Sequence, residues 1–306
     1  MTELAAIERQ IALRLRVERC RLSPIGVSCA NPVFRAELSD GRTAFLKIGD
    51  RETIGRAVGR LSELAECPLV PRILVRPSAD FAEGRALCLE WKDCRKIEVV
   101  DLTDAEADAL VDGAVGLSRA LQGVTGVAYG GEDDPDRQYG LIRDFARRHP
   151  LAARFLRGLL AVPPASRSYG TRRLEVIHGD FHALNFGFAG GRLSAVFDLD
   201  SLARGLPCED LTYALCEDMR RGGQGARRRV RLLDLFARFR ARAPWPTEDW
   251  LIAVNHARLR IAARRLEKHP HNPLVVLDVL RRDRLLRPLV AACRQEMVQW
   301  RETNTV

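Results

Sequence analysis

The stretch from Leu174 to Leu202 constrains the fold more than any other part of this chain. An apolar, β-branched run predicts a short strand that ends at His178-Gly179-Asp180, and Asn185 follows after a short irregular piece. Two largely apolar segments then flank Gly190-Gly191, a pair that adopts positive φ without steric cost. The pattern therefore predicts a β-hairpin, formed by residues 185–188 and 193–197.

This hairpin gives the carboxylates around it a possible chemistry. Folding back at the glycine pair is expected to bring Asn185 within about one strand spacing of Asp198, about 5 Å, with Asp180 nearby and Asp200 next but one. Mg²⁺ prefers oxygen ligands, usually one or two carboxylates plus substrate phosphates. A carboxylate that does not bind metal can accept a proton from an attacking hydroxyl. These groups together are the ones that phosphoryl transfer requires.

At these positions the sequence resembles the aminoglycoside phosphotransferase and choline kinase superfamily. The family loop reads His-Gly-Asp-x-x-x-x-Asn and is followed by a strand that ends in Asp-x-Asp/Glu, as His178 to Asn185 and Asp198 to Asp200 do here. Residues 205–211, GLPCEDL, resemble the Gly-x-Pro-x-x-Asp-Leu opening of the next helix. The alternative is a hairpin with capping carboxylates on its turns, which explains Asp198 and Asp200 but leaves the His-Gly-Asp loop unexplained.

The resemblance implies a role for each matching residue. Asp180 is expected to accept the proton of the acceptor hydroxyl, while Asn185 and Asp198 hold Mg²⁺ on the nucleotide. Asp200 is expected to be an accessory carboxylate. His178 and Asp210 are expected to support the loop from behind.

The N-terminal part predicts a helix at residues 2–19, a loop at 22–31 and two strands at 33–38 and 43–48. The second strand places Lys47 among apolar neighbours, where an unpaired ammonium is costly, so a partner anion is implied. In the resemblance Lys47 holds the nucleotide phosphates and residues 26–31 cover them, with Ser28 as a donor. Ser28 is equally compatible with an ordinary turn.

The resemblance also implies a glutamate on the following helix as the partner of Lys47. Ala57 occupies the matching position, so the pairing is assigned to Glu52, with Glu63 as another possibility. A strand at residues 86–91 is expected to carry the adenine edge, where backbone groups near Glu90 and Trp91 bind the base.

The remainder is mainly helical in pattern. Thr103 to Glu106 reads as a capping box for a helix that runs to Leu121, and an acidic loop at 123–136 is either a solvated connection or a lid. Helices are predicted at 141–160, 208–220, 226–242, 248–267 and 273–299. The expected fold is α+β, a two-lobed protein-kinase-like fold with a nucleotide-binding N-lobe at 1–91 and a catalytic and substrate-binding C-lobe at 92–306.

Composition limits the partners. The net charge is +9, almost entirely from arginine, but the arginines are spread over many segments without interleaved aromatic residues, which disfavours nucleic acid as a partner. No apolar run approaches the length of a membrane span and no signal pattern opens the chain, so we expect a cytoplasmic protein without membrane contact. The eight cysteines show no zinc-ligand spacing.

The function expected from these observations is ATP- or GTP-dependent, Mg²⁺-dependent phosphorylation of a hydroxyl on a small molecule such as a sugar, aminoglycoside or amino alcohol. The alternatives are a nucleotide-binding regulator that has lost catalysis, and a protein kinase. Glu217 and Asp218 are candidates for acceptor binding, as is the cluster Trp245, Glu248, Asp249 and Trp250. Each of these residues is alternatively explained by helix capping and packing. The sequence does not determine the oligomeric state.

Overall fold

The structure is a computed structural model, and it describes residues 3–25, 32–127, 134–221 and 226–303. The chain divides into two compact units. Unit 1 contains residues 1–95 together with 194–200, and unit 2 contains residues 96–193 and 201–306. Each unit has its own apolar core. The boundary between the two lobes near residue 91 and the roles of the lobes stay predictions.

Unit 1 is built around an antiparallel sheet. Its described elements are α1 (Glu3–Leu15), β1 (Cys20–Pro24), β2 (Val33–Leu38), β3 (Thr43–Ile48), α2 (Arg51–Glu63), β4 (Ile73–Val75) and β5 (Ala86–Glu90). The strand order is β1-β2-β3-β5-β4, which leaves β3 in the centre. Alternate residues of β2 and β3, including Phe34, Ala44 and Leu46, join the core of this unit. Lys47 is the neighbour of Leu46 in the strand and therefore lies on the opposite face of the sheet.

Two details differ from the expectation for this region. The first helix ends at Leu15, because Arg16 has φ +55° and left-handed backbone terminates a helix. Cys20–Pro24 form a strand, although Leu22, Ser23 and Pro24 fall in the predicted loop. Because β1 lies at the edge of the sheet, its proline removes no hydrogen bond from the interior. The strands predicted at 33–38 and 43–48 are confirmed.

Unit 2 is mainly helical. Its first helices are α3 (Asp104–Leu121), α4 (Pro135–Arg148), α5 (Pro150–Leu160) and α6 (Ala165–Ser168). The strands that follow are β6 (Glu175–Ile177), β7 (Phe186–Ala189), β8 (Arg192–Val196) and β9 (Ala203–Gly205), with the division between units falling inside β8. The last helices are α7 (Cys208–Arg221), α8 (Ala226–Arg242), α9 (Thr247–Lys268) and α10 (Val275–Thr303).

The predicted local signals of this region are largely confirmed. Thr103 and Glu106 form a reciprocal capping box at the start of α3. β7 and β8 form the predicted hairpin, with φ +56° at Gly190 and +73° at Gly191. The helix predicted at 141–160 is wrong as a single element. It is broken at His149, because the proline at 150 disfavours helical backbone in the residue before it.

The acidic loop lies partly outside the described residues, which resume at Asp134. The Asp134 carboxylate caps α4 by accepting the backbone N–H of Asp136 at 2.9 Å. These two acidic residues therefore begin a helix. In the described part of the chain, no helix is long and apolar enough to cross a membrane.

Candidate active site

The loop after β6 has a backbone that only glycine fits comfortably. Gly179 has φ +77°, and a Cβ added to it would lie 2.2 Å from the carbonyl oxygen of Ser201. Both the positive φ and the close backbone approach exclude a larger side chain. The motif thus needs a glycine at position 179, because the backbone at Ser201 passes next to it.

Asp210, near the start of α7, holds this loop through its backbone. Its carboxylate accepts the N–H of His178 at 2.8 Å and the N–H of Gly179 at 2.9 Å. The ring of His178 is fully buried, and its Nδ1 accepts the N–H of Asp180 at 3.3 Å. Burial raises the pKa of Asp210, and the bonds from the loop offset this only in part. The structure therefore brings His178, Asp180 and Asp210 together.

The Asp180 carboxylate is held at both oxygens. Its Oδ1 accepts Nη2 of Arg260 at 2.7 Å, while its Oδ2 lies 3.2 Å from Nδ2 of Asn185 and 3.3 Å from Nε2 of His182. Burial alone would raise the pKa of Asp180, but the contacts with His182, Arg260 and Arg264 outweigh it and hold the pKa well below its ordinary value. With 17% of its side chain exposed, Asp180 is an ionised acceptor that a ligand can reach.

Arg260, on α9, was missed by sequence reasoning. Its guanidinium is buried, lies over the ring of Tyr213 at 3.7 Å, and donates Nη1 to the carbonyl oxygen of Gly179 as well as Nη2 to Asp180. Arg264, one turn later, donates to the hydroxyl of Tyr213 at 2.8 Å and lies 3.6 Å from Asp180. No sequence signal distinguished Arg260, because arginines also stand at 258, 264 and 265 of the same helix.

The side-chain amide nitrogen of Asn185 donates hydrogen bonds. Nδ2 donates to the carbonyl oxygen of Asp180 at 2.9 Å as well as to its carboxylate, and the role of Oδ1 as a metal ligand stays a prediction. Asn185 is nearly buried, with 8% exposure. The expected proximity of Asn185 and Asp198 stays a prediction.

The ammonium of Lys47 has the partner anions that its position requires. Its Nζ lies 2.5 Å from Asp200 and 3.3 Å from Asp198, within unit 1. Burial by itself lowers the pKa of Lys47, but the two carboxylates more than compensate and the net pKa is raised. The segment that carries these carboxylates is fixed to unit 1 by a hydrogen bond from Val196 N–H to Leu69 O at 2.7 Å.

Asp198 combines exposure with an unusual backbone. Its φ is +59°, a region that few residues other than glycine adopt, and 49% of its side chain is exposed. Backbone strain of this kind costs about 1–3 kcal/mol and persists where the surroundings impose it. The surroundings therefore hold Asp198 in a strained conformation, with its carboxylate half exposed and within reach of Lys47.

Glu52 does not pair with Lys47 in this structure. Its carboxylate is 83% exposed and lies 3.7 Å from Arg56, one turn further along α2. The physical reason is that Asp198 and Asp200 already neutralise the charge of Lys47. A glutamate on α2 therefore has no unpaired cation to bind there. Glu63 lies 3.9 Å from Arg60.

The nucleotide-binding roles of Ser28, Glu90 and Trp91 stay predictions. Ser28 lies outside the described residues. Glu90 ends β5, and its N–H donates to the carbonyl oxygen of Arg72 at 2.8 Å, so this N–H is engaged within the sheet. The ring of Trp91 lies beneath the guanidinium of Arg35 at 5.3 Å.

The two candidate acceptor-binding residues of α7 are buried. Asp218 is 1% exposed and accepts the N–H of Val100 at 3.0 Å, and Glu217 is 5% exposed. Asp218 therefore ties α7 to the segment before α3, and its role in acceptor binding stays a prediction. Trp250 is fully buried and stacks edge-on against Phe236.

Two neighbours of Trp250 in the predicted cluster, Asp249 and Trp245, also contact other side chains. The carboxylate of Asp249 pairs with Arg172 at 2.6 Å. The ring of Trp245 lies 5.8 Å from that of Trp250. Asp249 and Trp245 thus have partners within the protein, and the role of the cluster with Glu248 in acceptor binding stays a prediction.

The oxygen donors fit a magnesium ion better than a metal held by protein alone. Within the described residues, no group of three or more His, Cys, Asp or Glu side chains is placed to hold a metal. Mg²⁺ uses few protein ligands and keeps waters and substrate phosphates. A half-exposed carboxylate such as that of Asp198 is a donor of that kind.

Comparison with solved structures finds the same fold. A candidate aminoglycoside phosphotransferase from Ralstonia eutropha is 16% identical, with a TM-score of 0.61 over 96% of this chain and 98% of that one. An amicoumacin kinase in complex with AMP-PNP and Ca²⁺ is 13% identical, with a TM-score of 0.60 over 87% of each chain. An ADP-bound aminoglycoside phosphotransferase, APH(2'')-Ib, is 14% identical, with a TM-score of 0.58 over 92% and 99%. The α+β, kinase-like fold class is thus confirmed.

A search of curated proteins gave no match. The sequence model of the phosphotransferase enzyme family, however, matches residues 21–251, which include the His-Gly-Asp loop, the hairpin and α7. On this match over most of its length, the chain belongs to the phosphotransferase enzyme family.

Proposed function

We propose that this protein transfers the γ-phosphoryl group of ATP or GTP to a hydroxyl of a small molecule, with Mg²⁺ as the metal. The observation that carries the proposal is the Asp180 carboxylate, which is ionised, partly exposed and fixed at both oxygens. An acceptor hydroxyl can donate a hydrogen bond to such a group, and a structural carboxylate would gain nothing from its exposed fraction.

The low pKa of Asp180 bears on how it would act. A carboxylate that is ionised at all ordinary pH values is a weak base, so it would first orient the hydroxyl by accepting its hydrogen bond. The acceptor oxygen then forms its bond to the γ-phosphorus as the bond to the leaving nucleoside diphosphate breaks. The hydroxyl proton passes to Asp180 late in this step. Catalysis of phosphoryl transfer rests mainly on such positioning.

The residues around the phosphates would supply positive charge and ligands. Lys47 is the proposed phosphate ligand, since an ammonium already held between two carboxylates is ordered and charged. Asn185 and Asp198 would hold Mg²⁺, which when bound neutralises charge that develops on the phosphates. Asp200 would keep Lys47 in place.

The acceptor is proposed to be a sugar, an aminoglycoside or an amino alcohol. The names of the solved relatives support a small-molecule acceptor, because they include an aminoglycoside phosphotransferase and an amicoumacin kinase, and two were solved with a nucleotide or its analogue. Nucleotide and acceptor are the partners that this proposal requires.

The test is consumption of ATP, and separately GTP, by the purified protein with panels of sugars, aminoglycosides, amino alcohols and a generic protein. Turnover with a small molecule supports the proposal, and turnover restricted to the protein panel overturns it. Thermal shift with ATP and Mg²⁺, and with ATP alone, accompanies the assay because a ligand of the native state raises the melting temperature. Binding without turnover on any acceptor would indicate a nucleotide-binding regulator.

A further inference from the structure

The peptide unit of Gly179 is held from both sides. Asp210 on α7 accepts its N–H at 2.9 Å, and Arg260 on α9 donates Nη1 to its carbonyl oxygen. The second nitrogen of Arg260 donates to Asp180 at 2.7 Å. One guanidinium thus contacts both the backbone of the loop and the carboxylate that the loop carries.

We propose that Arg260 is a positioning residue, which fixes the Asp180 carboxylate against the Gly179 carbonyl so that Asp180 can orient the acceptor hydroxyl. This inference rests on the proposed function. Arg260 itself is buried, with 7% exposure, and acts through Asp180.

The geometry requires an arginine. A guanidinium is a planar fork whose two terminal nitrogens reach two acceptors at once, whereas the ammonium of lysine is a point charge. The plane of the fork is set by the ring of Tyr213, which lies 3.7 Å from the guanidinium carbon. Lysine at this position could contact Asp180 or the Gly179 carbonyl, but it would lose the stacking that fixes the direction of both bonds.

Burial gives a second reason to assign a positional role. A buried ion pair is weak evidence for stability, because well-packed apolar residues of similar volume often stabilise a protein as much. Arg260 contacts the Asp180 carboxylate and the backbone of the loop, whose glycine has φ +77°. Its position is therefore explained by the orientation of Asp180.

Arg258 on the same helix is a matched control. It is also buried, with 8% exposure, and its contacts are Asp283 at 2.7 Å and Asn255 at 2.8 Å. Replacing either arginine by alanine removes a buried ion pair from α9, but only one of the two contacts Asp180.

The experiment compares Arg260→Ala, Arg260→Lys and Arg258→Ala in the full-length protein. Misplacement of a catalytic group by about 1 Å costs roughly 10²-fold, so we expect Arg260→Ala to lower kcat by about 10²-fold with the KM for the nucleotide unchanged. Arg260→Lys should recover only part of this loss. Added guanidinium chloride, at concentrations below unfolding, should raise kcat of Arg260→Ala. Arg258→Ala should lower the melting temperature and leave kcat near wild type.

Hydrogen exchange of the loop peptide, residues 176–185, gives a readout without turnover. With nucleotide absent, exchange should be about tenfold faster in Arg260→Ala than in Arg258→Ala, since only the first loses a bond to the loop. If Arg260→Ala does not fold, Arg260→Gln replaces it with the same expectations, because its single amide cannot span both acceptors.

The outcomes separate the two proposals. If the wild type phosphorylates an acceptor and Arg260→Ala matches Arg258→Ala in both kcat and loop exchange, the positioning role is overturned. Full activity of Arg260→Lys overturns it as well. If the wild type has no turnover on any acceptor, the proposed function fails, and loop exchange alone then decides whether Arg260 positions Asp180.

Discussion

Asp218 should make the protein less stable as the pH rises through the mildly acidic range. It is 1% exposed, and burial raises its pKa to about 6 from an ordinary value of 3.8, with only partial relief from the N–H of Val100. Between these values the folded state binds more protons than the unfolded state. The free energy of unfolding therefore falls as the pH rises through this window.

The size of the effect follows from the two values. A difference between 3.8 and about 6 corresponds to at most about 3 kcal/mol of stability, present below the lower value and lost above the upper one. Asp218→Asn removes the ionisation while its amide oxygen can still accept the N–H of Val100. Its new N–H₂ group adds a constant cost of about 1–3 kcal/mol, which does not depend on pH.

The assay is urea unfolding of the wild type and of Asp218→Asn from about pH 4 to about pH 8. The quantity to follow is how the difference in unfolding free energy between Asp218→Asn and the wild type changes with pH. The constant cost of the amide does not contribute to that change. We expect the mutant to gain on the wild type by up to about 3 kcal/mol across the window. A difference that stays flat with pH would refute the argument that burial of the Asp218 charge is only partly compensated.

Asp108 provides a control of opposite sign. Its carboxylate pairs with Arg238 at 2.5 Å, and this hydrogen bond lowers its pKa. Because a lowered pKa contributes stability that is lost on acidification, Asp108→Asn should be most destabilised relative to wild type at neutral pH, and the gap should close as the pH falls.

The remaining predictions concern the site. Asp180→Asn should keep nucleotide affinity and lower kcat by roughly 10²-fold or more, and collapse of ATP binding in calorimetry would instead make Asp180 a structural residue. Asp198→Ala should lose the Mg²⁺ dependence of nucleotide binding, so unchanged titrations with and without Mg²⁺ would remove it from the metal site. Lys47→Arg should recover only part of the turnover lost in Lys47→Ala, and full recovery would contradict its role as a point charge. Gly179→Ala should lower turnover and cost more than the about 1–3 kcal/mol of positive-φ strain in denaturant unfolding, because its Cβ also meets the Ser201 carbonyl oxygen, and wild-type activity and stability in this variant would disprove this.

Elements with a strong local signal could be predicted from the sequence. The Gly190-Gly191 turn, the capping box of α3 and the alternating strands β2 and β3 all follow from the preferences of adjacent residues. The break at His149 was also signalled by Pro150, but the apolar periodicity on both sides suggested one continuous helix. β1 could not be recognised from its residues alone, since its strand depends on pairing with β2.

The partners of the site residues were less predictable because they are distant in sequence. Lys47 was correctly expected to need an anion, yet its partners lie about 150 residues away, at Asp198 and Asp200, and a search along the adjacent helix pointed to Glu52. Arg260 is about 80 residues from Asp180, and nothing in a chain rich in arginine distinguishes it. A sequence motif identifies the groups that react, whereas tertiary packing determines which charged side chains position those groups.

The His-Gly-Asp loop shows how these two levels combine. The glycine is needed because the carbonyl oxygen of Ser201 lies 2.2 Å from where a Cβ would be, and glycine adopts φ +77° without steric cost. A backbone with that freedom could adopt other conformations if left unsupported. Two side chains prevent that, Asp210 through the N–H of the glycine and Arg260 through its carbonyl oxygen. They carry opposite charges and come from different helices, so packing of α7 against α9 sets the direction of the Asp180 carboxylate. A change in that packing, far from any reacting atom, should therefore alter kcat before it alters nucleotide binding.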